Sequence, residues 1–122
     1  MTGSQDRGSV AYRAGLSAED SIARHYERLG HAVACRRWRG RSGEIDLIAR
    51  DGDALIFVEV KHSRDFARAA GSLGARQIRR LLCAAEEYLG TQPLGALTPM
   101  RFDVALVNGA GEVQVIENAL AA

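Results

Sequence analysis

The chain has 122 residues, 47% of them hydrophobic and 25% charged, which fits one globular domain able to bury about two-thirds of the surface that the unfolded chain exposes. No segment approaches the roughly eighteen apolar residues of a membrane span, and the N-terminus lacks the apolar run of a signal peptide, so we expect a cytoplasmic protein without membrane association. The net charge of +1 conceals an asymmetry, because residues 1–80 carry fifteen basic and ten acidic side chains whereas residues 81–122 carry one and five.

The N-terminal part of the chain is predicted to contain a leader, one helix and one short strand. Residues 1–14 show no apolar periodicity, so we expect a flexible leader and a single domain over residues 15–122. A helix is predicted over residues 18–29, where apolar side chains recur at helical spacing at Ile22, Tyr26 and Leu29. Residues 32–35 form a short apolar strand, and the arginine-rich, glycine-containing segment after it is predicted to be a loop.

A β-hairpin is predicted at the centre of the chain. Residues 44–49 and 54–61 are rich in β-forming side chains, and Asp51-Gly52 between them is a strong signal for a tight turn. If those two residues form the turn, Arg50 pairs with Asp53. Counting back along both strands then puts Asp46 opposite Phe57 and Glu44 opposite Glu59.

This register gathers charged side chains on one face of the hairpin. Because side chains alternate along a strand, one face carries three carboxylates and one ammonium group, from Glu44, Asp46, Glu59 and Lys61. The opposite face carries apolar residues, namely Ile45, Leu47, Ile56, Val58 and Val60. Asp46 and Glu59 become diagonal neighbours with Cα atoms roughly 7–8 Å apart, close enough for two carboxylates to bind one ion. A slip of one residue would separate them.

The C-terminal half is predicted to contain a second helix and two strands. A polar connection over residues 64–74 precedes an apolar helical stripe that Gly90 ends, formed by Ile78, Leu81, Leu82, Ala85 and Leu89. Cys83 in this helix is expected to be a reduced, packed thiol. Strands follow at residues 101–107 and 113–116. The order αβββαββ predicts an α/β fold in which helices flank a mixed β-sheet, because a strand–helix–strand connection favours a parallel pair.

Two groups of arginines are candidate nucleic-acid contacts. Four arginines surround Trp38 without an acidic residue among them, and further arginines follow the hairpin. Such clusters attract phosphate backbones, and solvated surface arginine is the equally weighted alternative for each cluster. The candidates are Arg36, Arg37, Arg39, Arg41, Arg64, Arg76, Arg79 and Arg80.

The chain has fifteen arginines and one lysine, and that lysine is Lys61. A guanidinium group does not release its proton in a protein, whereas burial and neighbouring charges can tune a lysine ammonium group. Carboxylates packed together repel each other, and a divalent cation is the simplest compensation. Asp46 and Glu59, with the backbone carbonyl of Val60, offer the hard oxygen ligands that Mg²⁺ takes. Lys61 could then position or deprotonate an attacking water, or stabilise charge on a phosphate. The alternative is a surface hairpin with cross-strand Glu–Lys pairs.

The hairpin residues resemble a known family. Gly43-Glu44-Ile45-Asp46-Leu47-Ile48-Ala49, followed by Asp51-Gly52 and Phe57-Val58-Glu59-Val60-Lys61, resembles the signature of the YraN-type family of predicted endonucleases, within the PD-(D/E)XK restriction-endonuclease-like superfamily. The similarity extends over roughly residues 15–120. It implies a restriction-endonuclease-like core, Mg²⁺ with Mn²⁺ as a substitute, and cleavage of phosphodiester bonds. Asp46 and Glu59 would be metal ligands and Lys61 the catalytic lysine. Holliday-junction resolvases are similar relatives.

The same resemblance implies roles for further residues. Glu19 matches a helix-one glutamate that completes the acidic site in some relatives, with an interaction with the helix dipole as the alternative. Gln77 matches a glutamine that reaches the active site from the second helix, although Leu81 stands where those relatives have tyrosine, and a solvated helix residue is the alternative. Glu44 would bind metal through water or accept a hydrogen bond from Arg41 or Lys61. Asp103 would anchor the start of a strand.

Three functions are compatible with these features. The first is a Mg²⁺-dependent endonuclease acting on DNA, including branched or otherwise structured DNA. The main alternative is a nucleic-acid-binding module of the same fold with little or no turnover, and the third is a purely structural interaction protein. RNA is an alternative substrate, because no feature that reads the 2′-hydroxyl is visible. Cutting both strands of a duplex would require a homodimer.

Overall fold

The computed structural model describes residues 18–62 and 73–120. Helix α1 covers residues 18–28. Helix α2 covers Ala75–Leu89, and the strands are β1 (Val33–Arg39), β2 (Glu44–Asp51), β3 (Ala54–His62), β4 (Met100–Val107) and β5 (Val113–Ile116). The predicted leader, Arg64 and most of the connection predicted before α2 lie outside the described residues. Within the described ranges, no helix is long and apolar enough to cross a membrane.

The five strands form one mixed sheet in the order β1-β2-β3-β4-β5. The β1–β2, β2–β3 and β4–β5 pairs are antiparallel, and the β3–β4 pair is parallel. The parallel pair is the one predicted, because α2 lies between β3 and β4 in the chain and provides the crossover that such a pair needs. The predicted order αβββαββ and the mixed α/β fold are therefore confirmed, and they are consistent with a restriction-endonuclease-like core.

Strand β1 is longer than predicted, because the arginine-rich segment after residue 35 is strand and not loop. Pairing with β2 continues from Cys35 opposite Ile48 to Arg39 opposite Glu44. Trp38 anchors this segment, since its ring lies edge-on to Tyr88 of α2 with the ring centroids 5.4 Å apart. β1 is an edge strand, and edge strands commonly carry exposed charges. The exposed arginines therefore hid the strand pattern in the sequence.

The hairpin forms as predicted, but its register is shifted by two residues. Asp51 pairs with Ala54 and Leu47 pairs with Val58, so the turn residues are Gly52 and Asp53. Gly52 has φ +60, whereas Asp53 has no positive φ, which suits a turn that needs glycine at its first central position. Continuing this register puts Asp46 directly opposite Glu59, so the predicted diagonal placement is wrong. The two carboxylates still share a face, because a shift of two preserves the alternation of side chains.

Apolar residues cover both faces of the sheet, and each face packs on one helix. One face of the sheet meets α1, where the buried residues include Ile22, Tyr26, Leu47, Ile56 and Val58. The other face meets α2, where they include Ile48, Leu55, Phe57, Leu81 and Tyr88. Each fully buried side chain of this size contributes about 1.5–3 kcal/mol to folding. The predicted charged face of the hairpin is therefore the face that α2 covers.

Several side chains that were predicted to be packed are placed differently in the structure. Leu29 and Leu82, from the predicted apolar stripes of the two helices, are exposed. Ile45 packs in the cluster on the α2 side, whereas the alternation of side chains predicted it on the opposite face. Pairing between β2 and β3 is regular only from Leu47 onward, and simple alternation does not extend to Ile45. Cys83 is exposed and not packed, because it lies on the side of α2 that faces away from the sheet.

Candidate active site

The base of the hairpin opens where Asp46 and Glu59 face each other. The backbone pairing of β2 and β3 ends at Leu47 and Val58. Next to this pair, the two strands are joined by the side chain of Asp46, whose Oδ2 accepts a hydrogen bond of 2.8 Å from the backbone N–H of Val60. A regular ladder would offer that N–H a backbone carbonyl instead. The backbone of β3 therefore fixes the position of the Asp46 carboxylate.

Glu59 is buried beside Asp46, with only 8% of its surface exposed. Burial raises the pKa of Glu59 to about 8, and hydrogen bonding to Asp46 and the charge of that carboxylate act in the same direction. The ammonium group of Lys61 opposes this increase but does not cancel it. At neutral pH the Glu59 carboxyl group therefore keeps its proton unless another positive charge replaces it.

Lys61 and Gln77 meet in the same region. Lys61 lies two residues after Glu59 on β3 and is half-buried, and its Nζ donates a hydrogen bond of 3.5 Å to Oε1 of Gln77. Gln77 belongs to the first turn of α2, so the helix reaches the site from outside the sheet. The structure therefore brings together four of the residues predicted for the site, Asp46, Glu59, Lys61 and Gln77.

A cleft of about 250 Å³ connects the base of the hairpin to α2. Its lining combines acidic residues from the strands with polar and cationic residues from the helix, and consists of Gly43, Glu44, Asp46, Glu59, Gln77, Arg80 and Leu81. Carboxylates on one wall and an arginine on the other suit a ligand that carries negative charge together with a cation. The lining of the cleft therefore combines anionic and cationic side chains.

The donor set fits Mg²⁺. Asp46 and Glu59 are adjacent carboxyl groups, and a divalent cation beside them would replace the proton that burial keeps on Glu59. No group of three or more histidine, cysteine or acidic side chains in the described ranges is placed to hold a metal. Mg²⁺ does not require one, because it keeps several waters and is commonly bound by one or two carboxylates and substrate phosphates. The carbonyl of Val60 as a further ligand stays a prediction.

Glu19 has a different partner from the one that the resemblance implies. Its carboxylate is nearly buried and accepts hydrogen bonds of 2.9 and 3.1 Å from Nε of Arg37. Arg37 adopts φ +51, a conformation unusual for a residue with a side chain. Glu19 is not among the residues that line the cleft. The structure therefore supports a role for Glu19 in positioning β1.

Glu44 lines the cleft and forms an ion pair that the sequence did not indicate. Its carboxylate lies 3.6 Å from the guanidinium group of Arg39. Glu44 and Arg39 are cross-strand neighbours in the β1–β2 pair, which explains the contact. The prediction treated the residues around Trp38 as a loop, and it therefore missed this pairing.

The first arginine cluster is partly neutralised by acids that are distant in sequence. Arg36 pairs with Asp20 at 2.5 Å and Arg37 pairs with Glu19, both acids from α1. With Arg39 held near Glu44, three of the four predicted phosphate contacts in this segment already have carboxylate partners. Arg41 is exposed, and it forms no ion pair with another residue in the described ranges.

The arginines of α2 present a different surface. Arg76, Arg79 and Arg80 are exposed, and none of them forms an ion pair with another residue in the described ranges. Arg80 also lines the cleft. The helix therefore provides uncompensated positive charge next to the candidate active site, whereas β1 provides much less than its sequence indicates.

Glu87 holds one edge of the site and was missed in the sequence. Its carboxylate accepts hydrogen bonds from the backbone N–H groups of Arg41 at 3.2 Å and Ser42 at 3.4 Å. This contact ties the loop between β1 and β2 to α2. Gly40 is required there, because a Cβ atom would collide with Glu87 and with the ring of Trp38. Gly40 was the feature of the sequence that could have indicated a close contact in this loop. The contacting residue, Glu87, lies 47 positions further along the chain.

Asp103 forms a buried network on the far side of the sheet. The side chain is fully buried and accepts hydrogen bonds from Tyr26 Oη at 2.6 Å, Arg101 Nε at 3.1 Å and the backbone N–H of Asn118 at 2.9 Å. Burial and the hydrogen bond to Asp103 raise the pKa of Tyr26 far above its usual range. Asp103 thus joins α1, β4 and the C-terminal turn, which agrees with the predicted anchoring role.

The protein is a mixed α/β domain whose central hairpin and second helix enclose an acidic cleft, and the lysine of the chain contacts Gln77 in its wall. Residues 18–107 match the model of a family described as "Uncharacterised protein family UPF0102", and the chain belongs to this family. A UPF0102 protein of Ruegeria pomeroyi is 63% identical over 113 residues, covering 93% of this chain and 92% of the relative. A UPF0102 protein of Cereibacter sphaeroides is 56% identical over 115 residues, covering 94% and 98%. One from Dinoroseobacter shibae is 45% identical over 114 residues, covering 93% and 85%.

Proposed function

We propose that this protein is a Mg²⁺-dependent endonuclease that hydrolyses phosphodiester bonds of DNA. The observation that supports this function is the convergence of Asp46, Glu59 and Gln77 at one cleft that Arg80 borders, with Lys61 hydrogen-bonded to Gln77. The resemblance of the hairpin to PD-(D/E)XK nucleases points to the same chemistry. DNA with branches or flaps belongs among the substrates to test, because Holliday-junction resolvases are similar relatives.

Asp46 and Glu59 would hold the Mg²⁺ ion, and their arrangement suits that task. The Val60 N–H fixes one Asp46 oxygen, so the carboxylate cannot rotate freely away from the site. Burial of Glu59 keeps competing water away from its carboxyl group and strengthens its interaction with a cation. When bound, Mg²⁺ supplies an acidified water and polarises the phosphate.

Lys61 would act on the reacting groups directly. Gln77 Oε1, in the wall of the cleft, accepts a hydrogen bond from Nζ and so orients the amine toward the start of α2. In hydrolysis the oxygen of water forms a bond to phosphorus, the bond from phosphorus to the leaving oxygen breaks, and the proton of the water has to be accepted. An amine at residue 61 can accept that proton, and an ammonium group can donate hydrogen bonds to the phosphate oxygens as negative charge develops.

Arg80 would bind the phosphate backbone next to the bond that is cut. It lines the cleft opposite the carboxylates and has no ion-pair partner in the described ranges. The exposed Arg76 lies one turn earlier on the helix and extends the same positive surface. These residues would also support the second function, a nucleic-acid-binding module without turnover, because phosphate contacts do not depend on the carboxylates.

The proposal is tested with purified protein, Mg²⁺ or Mn²⁺, and a panel of single-stranded, duplex, flap and four-way-junction DNA, with matched RNA strands. We expect metal-dependent cleavage that is lost in Asp46→Asn and Lys61→Ala. Asp53→Asn is the matched control, because it makes the same chemical change in the turn of the same hairpin, away from the cleft. Salt-sensitive binding without cleavage would favour the binding module, and cleavage of RNA alone would replace the substrate. If the protein neither binds nor cleaves any of these nucleic acids, both functions are refuted.

A further inference from the structure

Helix α2 carries a second surface, on the flank opposite the candidate active site. A groove of about 580 Å³ runs beside it and is lined by Leu82, Glu86, Leu89, Ala96, Thr98 and Met100. Two large apolar side chains of this groove are open to solvent, with Leu82 40% and Met100 37% exposed, and the neighbouring Leu97 is 84% exposed. Clustered exposed residues of this kind indicate an interaction surface more often than scattered ones do.

Charged residues frame this apolar surface in a self-complementary way. Arg79 lies one turn before Leu82 and Glu86 lies one turn after it, so the order along the helix is cation, apolar residue, anion. Arg79 and Glu86 are seven residues apart, roughly 10 Å along the axis, and therefore lie on nearly the same side of the helix. Both are exposed, and neither forms an ion pair with another residue in the described ranges.

We propose that this surface of α2 is the interface of a homodimer, in which two copies of the helix pack antiparallel across a two-fold axis near Leu82 and Cys83. A two-fold interface uses the same patch on both copies, so residue i of one copy meets residue j of the other and the reverse. An axis between residues 82 and 83 places Arg79 of each copy beside Glu86 of the other. Both unpaired charges are then neutralised, while Leu82 is covered at the centre.

The dimer leaves the candidate active site open. With 3.6 residues per turn, Gln77 and Arg80 point to one flank of α2, whereas Leu82 and Glu86 point to nearly the opposite flank. The interface therefore does not depend on the proposed nuclease function, and the oligomeric state can be measured without a substrate. It does change the assignment of Arg79, from a phosphate contact to an interface residue.

The first test measures mass by sedimentation velocity over a range of protein concentrations. We expect a monomer–dimer equilibrium in the wild type. Leu82→Glu should raise the concentration at half-dimerisation by about tenfold or more, because it places a charge at the centre of the interface. Arg24→Glu is the control, since Arg24 is exposed on α1 on the other face of the sheet and should leave the equilibrium unchanged. A wild type that stays monomeric, or a dimer that Leu82→Glu leaves intact, would overturn the proposal.

A charge exchange tests the two-fold pairing itself. Arg79→Glu and Glu86→Arg should each weaken self-association, because each variant alone brings two like charges together at both contacts. An equimolar mixture of the two variants should dimerise again, because both contacts then join opposite charges. Circular dichroism checks that each variant folds. If both variants fold and their mixture stays as monomeric as each variant alone, Arg79 and Glu86 do not meet across the interface.

Cross-linking supplies an independent measurement. Cys83 is exposed next to the proposed axis, whereas Cys35 is partly buried on β1. A short bismaleimide should join two wild-type copies through Cys83, and the product should be lost in Cys83→Ser and reduced in Leu82→Glu. Cys35→Ser should give the wild-type yield. An equal yield in Leu82→Glu would mean that the reaction reports random collisions, and it would count against the interface.

Discussion

The buried carboxyl group of Glu59 should make the metal-free protein less stable as pH rises. The pKa of Glu59 is raised from 4.5 to about 8, so between these values the folded protein keeps a proton that the unfolded chain has released. Stability therefore falls with pH across this window, at about 1.4 kcal/mol for each pH unit per proton. Between about pH 5.5 and 7.5 this one group should lower the free energy of unfolding by about 2–3 kcal/mol.

Urea denaturation in the presence of EDTA measures this effect, with the fluorescence of Trp38 as the signal. Trp38 is the only tryptophan in the chain, and it packs against Tyr88 of α2, so its emission reports on the fold around the site. Glu59→Gln should remove most of the difference between the two pH values, because the amide does not titrate. Glu27→Gln, on the exposed side of α1, should keep it. An equal pH dependence in wild type and Glu59→Gln would refute the buried-proton interpretation.

Mg²⁺ extends the same experiment to the proposed metal site. A ligand that binds only the folded state stabilises it, by about 1.4 kcal/mol for each tenfold excess over its dissociation constant. Mg²⁺ would compete with the proton on Glu59, so its stabilising effect should increase with pH and should largely disappear in Asp46→Asn. A pH dependence without any effect of Mg²⁺ would leave the buried proton in place and refute the metal site. The two inferences can therefore fail separately.

Three further predictions concern single residues. Lys61→Arg should reduce the rate of cleavage by about a hundredfold or more, as Lys61→Ala should, because arginine keeps the positive charge but cannot accept a proton. Rapid cleavage by Lys61→Arg would mean that residue 61 only stabilises negative charge. Asp103→Ala should lower the free energy of unfolding by about 3–5 kcal/mol, since it leaves Arg101 without its buried partner. Tyr26→Phe should lower it by about 1–3 kcal/mol, because the hydrogen bond to Asp103 is lost. Thermal or urea unfolding measures both changes, and a near-neutral Asp103→Ala would contradict the network. Arg80→Ala should weaken DNA binding and reduce the slope of log affinity against log salt by about one. Arg36→Ala should have less effect, because Asp20 already neutralises Arg36. Equal losses of affinity in a binding titration would contradict this difference in pairing.

The sequence predicted the elements that depend on local pattern. Apolar residues at helical spacing placed α2 before Gly90, and β-rich runs around Gly52 placed the hairpin. The face shared by Asp46, Glu59 and Lys61 was also predictable, because it depends only on whether residue positions are odd or even. That is why it survived a register error of two residues. The turn itself was ambiguous, since Asp51-Gly52 and Gly52-Asp53 both supply the glycine that a tight turn needs.

The partners of the charged side chains were not predictable, because they come from distant parts of the chain. Asp20 and Glu19 lie 16 and 18 positions from the arginines that they neutralise, and Tyr26 lies 77 positions from Asp103. Only the packing of α1 and α2 against opposite faces of the sheet brings such groups within hydrogen-bond distance. Asp46, Glu59 and Lys61 were thus grouped by sequence alone, through the alternation of side chains along two adjacent strands. The way α2 docks on the sheet, which no local pattern encodes, decided three other features. These are the contact of Gln77 with Lys61, the hydrogen bonds from the β1–β2 loop to Glu87, and the exposed flank of α2.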